Sequence, residues 1–302
     1  MNRFFITLCL AILSVNFSFG QMLWSIEREG HEGRSYLFGT YHLGDESKIN
    51  NVKGFQQAFS DFNTVAVEVV LPETSEEELM LSALNYMAAP SDSTAIQLLS
   101  TEQVDSVFAL VSQIDPGSVG IIKEMMNVLK PIVVVNSITS ILMKENIESN
   151  EFDIYQTMDF IISSRAVSEG KKLVGLETPE EQLEMLYNTP ISRQIETLLE
   201  LIRNIDETTE MSNRLTSLME KAYTENNFRE LEEFVLSNLV EFESINYNIM
   251  LTDRNTRWLD RLEKILEEDN IMIAVGAAHL MGKDGLIERL RSLGYVVSPI
   301  LN

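Results

Sequence analysis

The 302-residue chain is poor in the side chains that most often carry chemistry, because it has one cysteine and three histidines. The cysteine, Cys9, lies in an apolar N-terminal stretch, and residues 21–302 contain none. This excludes disulfides and thiol chemistry from that region. Its stability must then come from a hydrophobic core, which a chain of this length can supply because it buries roughly three quarters of its unfolded surface.

Several common catalytic motifs are also absent. The sequence has no His-Glu-x-x-His, no Gly-x-Ser-x-Gly, no P-loop and no Gly-x-Gly-x-x-Gly. Hydride transfer, phosphoryl transfer from ATP and serine-triad hydrolysis therefore lose their usual sequence support.

Positive charge is scarce, with 23 Lys and Arg against 46 Asp and Glu and a net charge of −23. Removal of residues 1–20 would leave 22 against 46, or −24. Such a chain is repelled by nucleic acid and by anionic lipid. We therefore exclude nucleic-acid binding, and we interpret the acidic stretches as solvated helix surfaces.

Residues 1–20 have the pattern of a secretory signal peptide. Arg3 precedes an apolar stretch that is too short to span a bilayer, and small residues at Ser18 and Gly20 suit cleavage before Gln21. An uncleaved anchor is the alternative. Leu8 stands where a lipoprotein signal needs a small residue, so we do not expect lipidation of Cys9. No later segment is long and apolar enough to insert in a membrane, and we predict a soluble protein that is secreted or periplasmic.

Two of the three histidines occur in the same short frame. Each stands three residues after a glycine that ends an apolar run, as Gly39 to His42 and as Gly276 to His279. Both runs are typical of buried strands, and ligands in α/β proteins bind at strand C-termini. We expect the two imidazoles to meet at one site. Either histidine alone would equally suit a packing role, whereas His31 lies in a polar turn and is predicted to be exposed and inert.

Two glutamates, Glu68 and Glu177, are set into apolar strand-like segments at matching positions. A buried carboxylate is costly unless it is paired or bound to a metal. Together with His42 and His279 they would form a mixed nitrogen and oxygen site for Mn, Co or Zn. Glu68 has an alternative as an ion pair with Arg254 or Lys172. Glu177 has one as a helix cap, although Thr178 is better suited to that role.

The hydrophobic pattern predicts an α/β fold in one domain, residues 21–302. A hairpin is expected over residues 22–44, with its strands at 22–26 and 35–38. Helices are expected at 53–61 and 158–169, and further strands at 64–69, 171–177, 271–275 and 295–297. The region of about 75–250 is mostly helical and is predicted to form a large cap. The order of strands, glutamates and Gly-x-x-His frames also suggests a mixed sheet built from two related halves.

Together these residues resemble the TraB/GumN family, which includes the Tiki proteins. The resemblance covers nearly all of residues 21–302. The segments that carry it are Phe38-Gly39-Thr40-Tyr41-His42-Leu43-Gly44, Val67-Glu68, Gly175-Leu176-Glu177-Thr178 with Glu181-Gln182, Arg254-Asn255 with Trp258, and Val275-Gly276-Ala277-Ala278-His279-Leu280 with Gly282 and Gly285-Leu286. Asp159 also fits the family pattern.

The resemblance implies a Tiki-like fold related to erythromycin esterase and ChaN proteins, and a metal-dependent hydrolase. By position, His42 and His279 become metal ligands, and Glu68 and Glu177 become ligand or general base. Arg254 would hold a substrate carboxylate or a developing oxyanion, with Asn255 and Tyr41 also contacting substrate. The alternative for Arg254 is an ion pair on a helix surface.

Three functional hypotheses follow. The first is an exported metal-dependent peptidase that acts on a peptide or protein substrate. The second is a protein that binds haem, iron or a peptide without turnover, as the ChaN and TraB resemblance suggests. The third is a metal-dependent esterase of small molecules.

Overall fold

The computed structural model describes residues 21–42, 44–72, 74–144, 157–238 and 248–301. The predicted signal peptide, residues 1–20, and Leu43 of the first motif lie outside the described residues. A six-stranded mixed sheet forms the centre of the protein, in the order β4-β3-β5-β2-β1-β6. Its strands are Leu23–Glu27 (β1), Ser35–Thr40 (β2), Thr64–Val69 (β3), Lys172–Glu177 (β4), Ile271–Gly276 (β5) and Val296–Pro299 (β6).

Four neighbouring strands, β4, β3, β5 and β2, run parallel, and β1 is antiparallel to both of its neighbours. The parallel strands are apolar along almost their whole length because helices cover the sheet. Their C-terminal ends lie along one edge, where Thr40 pairs with Gly276 and Val69 pairs with Glu177. Both Gly-x-x-His frames leave the sheet at that edge.

Helices flank the sheet and confirm the α/β class. In chain order they are Glu46–Asn51 (α1), Phe55–Ser60 (α2), Glu76–Met87 (α3), Ala95–Leu98 (α4), Thr101–Ile114 (α5), Val119–Val128 (α6), Pro131–Lys144 (α7), Met158–Ser168 (α8), Pro179–Tyr187 (α9), Ile191–Arg203 (α10), Ile205–Thr224 (α11), Arg229–Ser237 (α12), Asp253–Glu268 (α13) and Leu286–Ser292 (α14). Short 3₁₀ turns cover Pro116–Ser118 and Ala277–Leu280, and a π-helical turn covers Asn248–Thr252. None of the described helices combines the length and apolar character that a bilayer span needs.

The predicted cap region holds a hydrophobic core of its own. Side chains from α4, α5, α6, α7 and α10, among them Val107, Ile122, Val134 and Leu198, form a buried cluster separate from the one around the sheet. In the same part of the chain, α8 and β4 belong to the sheet layer instead, since β4 pairs with β3 and α8 packs on it. The cap helices therefore come from two stretches of the chain that flank α8 and β4.

Local sequence explains where helix α9 begins. Thr178 accepts a hydrogen bond from the Glu181 backbone, and the Glu181 side chain accepts one from the Thr178 backbone, which makes a capping box. Pro179 follows at the first helical position, where its missing N–H costs nothing. Helix α9 thus begins directly after β4, and it fixes the direction in which the chain leaves Glu177.

Candidate functional site

The Gly-x-x-His frames contact each other at the edge of the sheet. A Cβ built on Gly39 would lie 3.1 Å from the Cα of Ala277, and one built on Gly276 would lie 3.2 Å from Oε1 of Glu68. Such spacing is tighter than most real Cβ contacts, so glycine at each frame start allows a close approach, of Gly39 to the second frame and of Gly276 to the Glu68 side chain. The paired spacing in the sequence therefore has a packing cause, and it brings both histidines to one place.

A cavity of about 460 Å³ lies beside this edge. Its lining includes His42, Glu68, Arg254 and His279, and also Tyr41. The structure thus brings together residues from the segment after β2, from β3, from α13 and from the turn after β5. Glu177 is close to this group but is not among the described residues that line the cavity.

Arg254 lies at the centre of a buried polar cluster. Its Nη2 donates to Oε2 of Glu68 at 2.5 Å and to Oε1 of Glu177 at 2.5 Å, and its Nε donates to Oε2 of Glu177 at 3.1 Å. Arg254 is 4 % exposed, which excludes the surface ion pair that was its alternative. Of the two partners considered for Glu68, the structure has Arg254.

Both carboxylate oxygens of Glu177 are bound by protein side chains. Besides Arg254, its oxygens accept from Nε1 of Trp258 at 3.2 Å and from Nε2 of Gln182 at 3.2 Å. It does not cap the following helix, because Thr178 does so, as predicted. The arrangement suits a carboxylate that fixes the position of a guanidinium.

Glu68 differs from Glu177 because it borders the cavity. Its Oε1 accepts from the Gly276 N–H at 2.8 Å and lies 3.7 Å from Nε2 of His279. Burial is the largest single influence and would raise the pKa of Glu68, but Arg254, the two histidines and the Gly276 N–H together outweigh it and lower this pKa to about 2. Glu68 is therefore an ionised carboxylate at neutral pH.

His279 is held as one neutral tautomer. The side-chain amide of Asn255 donates to the backbone oxygens of His279 at 3.1 Å and Asp284 at 2.9 Å, so its Oδ1 is the acceptor for Nδ1–H of His279 at 2.7 Å. Nε2 then carries the lone pair, and it accepts from Nη1 of Arg254 at 3.1 Å. Burial lowers the pKa of His279 to about 3, and the ring packs 4.3 Å from that of Trp258.

His42 is oriented in the same way by a carboxylate. Its Nδ1 lies 2.8 Å from Oδ2 of Asp159, and Oδ1 of Asp159 accepts from the Thr40 hydroxyl at 2.7 Å. The His42 side chain is 66 % exposed, so a ligand in the cavity can reach its other nitrogen, Nε2. The hydrogen bond and negative charge of Asp159 raise the pKa of His42 to about 9.

Tyr41 contributes a buried hydroxyl to the cavity. It is 9 % exposed, and its oxygen has no hydrogen-bond partner among the described residues. Burial raises the pKa of Tyr41 to about 12, so the hydroxyl stays a donor. The Tyr41 ring stacks 6.2 Å from that of Tyr223, whose own hydroxyl donates to the Gly39 carbonyl. A buried polar group without a partner is costly, and a ligand carbonyl would satisfy it.

The donor types of the cluster fit a first-row divalent metal, but Arg254 competes for them. His42 and His279 each have Nδ1 bound to an oxygen acceptor, which is the usual arrangement of metal-ligating histidines, and Glu68 supplies an adjacent oxygen. Within the described ranges, however, no three His, Cys, Asp or Glu side chains come close enough together to form a ready metal site. Arg254 contacts two of these three candidate ligands.

His31 takes no part in this site. It is exposed in the turn between β1 and β2, as expected from the polar sequence around it. Sequence reasoning did not place Asp159 in the site, although the residue fitted the family pattern. Asp159 lies in the first turn of α8, whereas most of the other candidates were indicated by apolar strand patterns, which a helix start does not have.

Comparison with known proteins gives one match. Neither the curated proteins nor the solved structures contain a match to this chain. The TraB/PrgY/gumN family model matches residues 22–299, which is nearly the whole chain and includes every residue of the cluster around Arg254. The chain belongs to the TraB/PrgY/gumN family.

Proposed function

We propose that this protein is an exported metal-dependent hydrolase that cleaves peptides. The observation that carries the proposal is the common orientation of the two motif histidines. His42 and His279 each bind a fixed oxygen through Nδ1, and both line the cavity that Glu68 also borders. Two histidines held only for packing would not need to have Nε2 of both rings beside the same cavity.

His42, His279 and Glu68 would hold Mn, Co or Zn. Two imidazoles with one carboxylate are a known ligand set of hydrolytic zinc sites. A bound divalent ion would make water more acidic and would polarise a substrate carbonyl. The sequence named Glu68 and Glu177 alike for the ligand and base roles. Glu68 borders the cavity whereas the oxygens of Glu177 are bound by Arg254, Trp258 and Gln182, so we assign the ligand role to Glu68.

The other residues of the cluster have roles in positioning and charge. Arg254 faces the cavity with a guanidinium fixed by Glu177, and it would hold an oxyanion or a substrate carboxylate. Asn255 keeps His279 in its tautomer and would act through it rather than on substrate. Tyr41 would donate its hydroxyl to a carbonyl of the substrate.

A metal-dependent esterase of small molecules is the second candidate. The cavity volume of about 460 Å³ lies within the range of small-molecule pockets, so it could enclose an ester as well as one side chain of a peptide. The two activities share the same reacting group, a carbonyl attacked by water. Substrate screening separates them.

The test is metal loading followed by parallel screening. Protein purified without chelator is offered Mn, Co and Zn, its metal content is measured, and a peptide library and an ester panel are then tested. We expect about one or two ions per chain and turnover only when metal is present. His42→Ala and Glu68→Gln should abolish turnover, and His31→Ala is the matched control because His31 is exposed and outside the site.

Two results would overturn the proposal. Metal stoichiometry near zero with all three ions rules out a metal-dependent enzyme. Metal or peptide binding without turnover, or a Soret shift on titration with haem, would favour a binding protein. Export is tested separately by fractionation and N-terminal sequencing, with Gln21 expected as the first residue.

A further inference from the structure

The cavity beside the polar cluster has mostly apolar walls. They come from α7, α9, α11 and α12, from the π-helical turn, and from the segment after β5. Ile132 and Val135 lie on one wall, and Leu231 and Val235 lie on another. The charged side chains of the cluster and the apolar helix faces therefore border one shared space.

Methionine is prominent in these walls. Met185, Met219, Met250 and Met281 come from four different segments and line the same cavity. Methionine is unbranched and polarisable, so its side chain adapts to apolar groups of different shape. Walls of this kind suit a range of apolar groups better than a single rigid ligand.

The chemistry of the walls also disfavours polar ligand groups. A polar side chain that entered this space would lose water, and the apolar walls offer it few hydrogen-bond partners in return. An apolar group would gain about fourfold in affinity for each methylene that it removes from water. The cavity should thus discriminate strongly between ligands that differ in apolar size.

We propose that the cavity is a specificity pocket for a bulky apolar side chain next to the carbonyl that is hydrolysed. This inference rests on the proposed hydrolase function, since that function places a substrate carbonyl beside His42, Glu68 and Arg254. It commits the substrate class to peptides whose residue at this subsite is of the leucine, methionine or phenylalanine type. Glycine and charged residues are poor occupants.

The binding test uses the mature protein, residues 21–302, and needs no turnover. The neutral fluorescent dye 1-aminoanthracene is bound first and is then displaced by blocked amino-acid amides. We expect N-acetyl-leucinamide and N-acetyl-phenylalaninamide to displace it at concentrations at least tenfold lower than N-acetyl-glycinamide. Leucine exceeds glycine by four carbons, and partial burial of these suffices for that ratio.

A pair of substitutions on one helix provides the matched control. Met219 and Met211 both lie on α11, are both partly buried, and both pack against the core around the sheet. Met219 lines the cavity and Met211 is not among its described lining residues. Met219→Gln should weaken displacement by the leucine amide at least fourfold, whereas Met211→Gln should leave it unchanged. Met185→Gln, on α9, replaces Met219→Gln if the latter fails to fold by circular dichroism.

The outcomes separate this inference from the hydrolase proposal. If the amides bind in the expected order but neither peptides nor esters are cleaved, the hydrolase proposal fails and the apolar pocket stands. If peptides are cleaved but glycine and leucine substrates are cleaved equally well, the pocket inference fails alone. It also fails if the dye does not bind, or if Met219→Gln and Met211→Gln behave alike.

Discussion

Replacing Arg254 with methionine tests the charge arrangement of the site most directly. Arg254 binds both Glu68 and Glu177, and all three side chains are at most 10 % exposed. Methionine keeps much of the volume but leaves two buried carboxylates without their cation. Breaking a buried pair by removing one partner costs about 3–5 kcal/mol. We expect a loss of this size in the free energy of unfolding at pH 7.

The size of the effect makes it measurable. A folded domain has a total stability of about 5–15 kcal/mol, so the variant should lose a large fraction of its stability. For a chain of this length the loss corresponds to a fall in Tm of roughly 6–20 °C. Urea unfolding followed by circular dichroism, in EDTA so that no metal contributes, gives the free energy. Arg229→Met is the control, because Arg229 forms an exposed pair with Glu233 on α12.

The pH dependence of the variant gives a second, independent check. In the native protein Arg254 holds the pKa of Glu68 near 2, below the unfolded value, so this contribution is present above about pH 4.5 and is lost as pH falls towards 2. Without Arg254, burial raises the same pKa, and protonation at low pH relieves the cost. The stability gap between variant and wild type should therefore narrow as pH falls, starting above pH 4.5, where Glu68 of the variant takes up a proton, and continuing towards pH 2. A gap under 1 kcal/mol at pH 7, or one that widens in acid, would refute this account of the cluster.

Three further predictions concern Asp159, the His42 ring that it binds, and the start of helix α9. Asp159→Asn should weaken metal binding by about 10–100-fold, measured by competition with a chelating dye, because His42 loses the carboxylate that orients it. In metal-free protein the raised pKa of His42 stabilises the fold fully below about pH 6.5, and this contribution should disappear as pH rises through about 9; urea unfolding of His42→Gln should lack that slope. Thr178→Ala removes the capping box of α9 and should cost about 1 kcal/mol in urea unfolding, while Ser237→Ala should cost less because Ser237 caps no helix start.

The sequence predicted the strands and their meeting point well, because the signals for both are local. Alternating and continuous apolar runs mark β1 to β5 to within one or two residues. Glycine before each histidine showed where two of these strands end. Because parallel strands have their C-terminal ends at the same edge of a sheet, His42 and His279 are expected to lie at that edge together. The helix expected at 53–61 is shorter, Phe55–Ser60, and a further helix, Glu46–Asn51, precedes it.

Other features depend on contacts between distant parts of the chain. Arg254 is 186 residues from Glu68 and Asp159 is 117 residues from His42, so no local pattern links them. Helix α7 begins at Pro131 and has a β-branched run that is typical of a strand. It is helical because its apolar face packs on α10 in the core of the cap. Packing overrides propensity there.

The two glutamates show how far sequence symmetry can mislead. Glu68 and Glu177 both lie at or near the ends of apolar strands, and the sequence left open which of them is a metal ligand and which the general base. In the sheet, however, Glu177 pairs with Val69, so Glu68 is one residue out of step with it. Successive side chains of a strand point to opposite faces, and an offset of one residue gives the two carboxylates different surroundings. Glu68 borders the cavity, whereas Glu177 binds Arg254 and is not among the described residues that line the cavity.

The balance of charge in the cluster supports a cation as its missing component. Three carboxylates, those of Glu68, Glu177 and Asp159, lie beside one guanidinium and the His42 imidazole. With His42 protonated, one formal negative charge of the cluster is uncompensated. A divalent ion that displaces the His42 proton would add one net positive charge and complete the balance. Metal affinity should therefore increase with pH up to about 9, where His42 loses its proton, and one proton should be released for each ion bound. Isothermal titration in buffers of different ionisation enthalpy measures that proton, and binding without proton release would argue against His42 as a ligand.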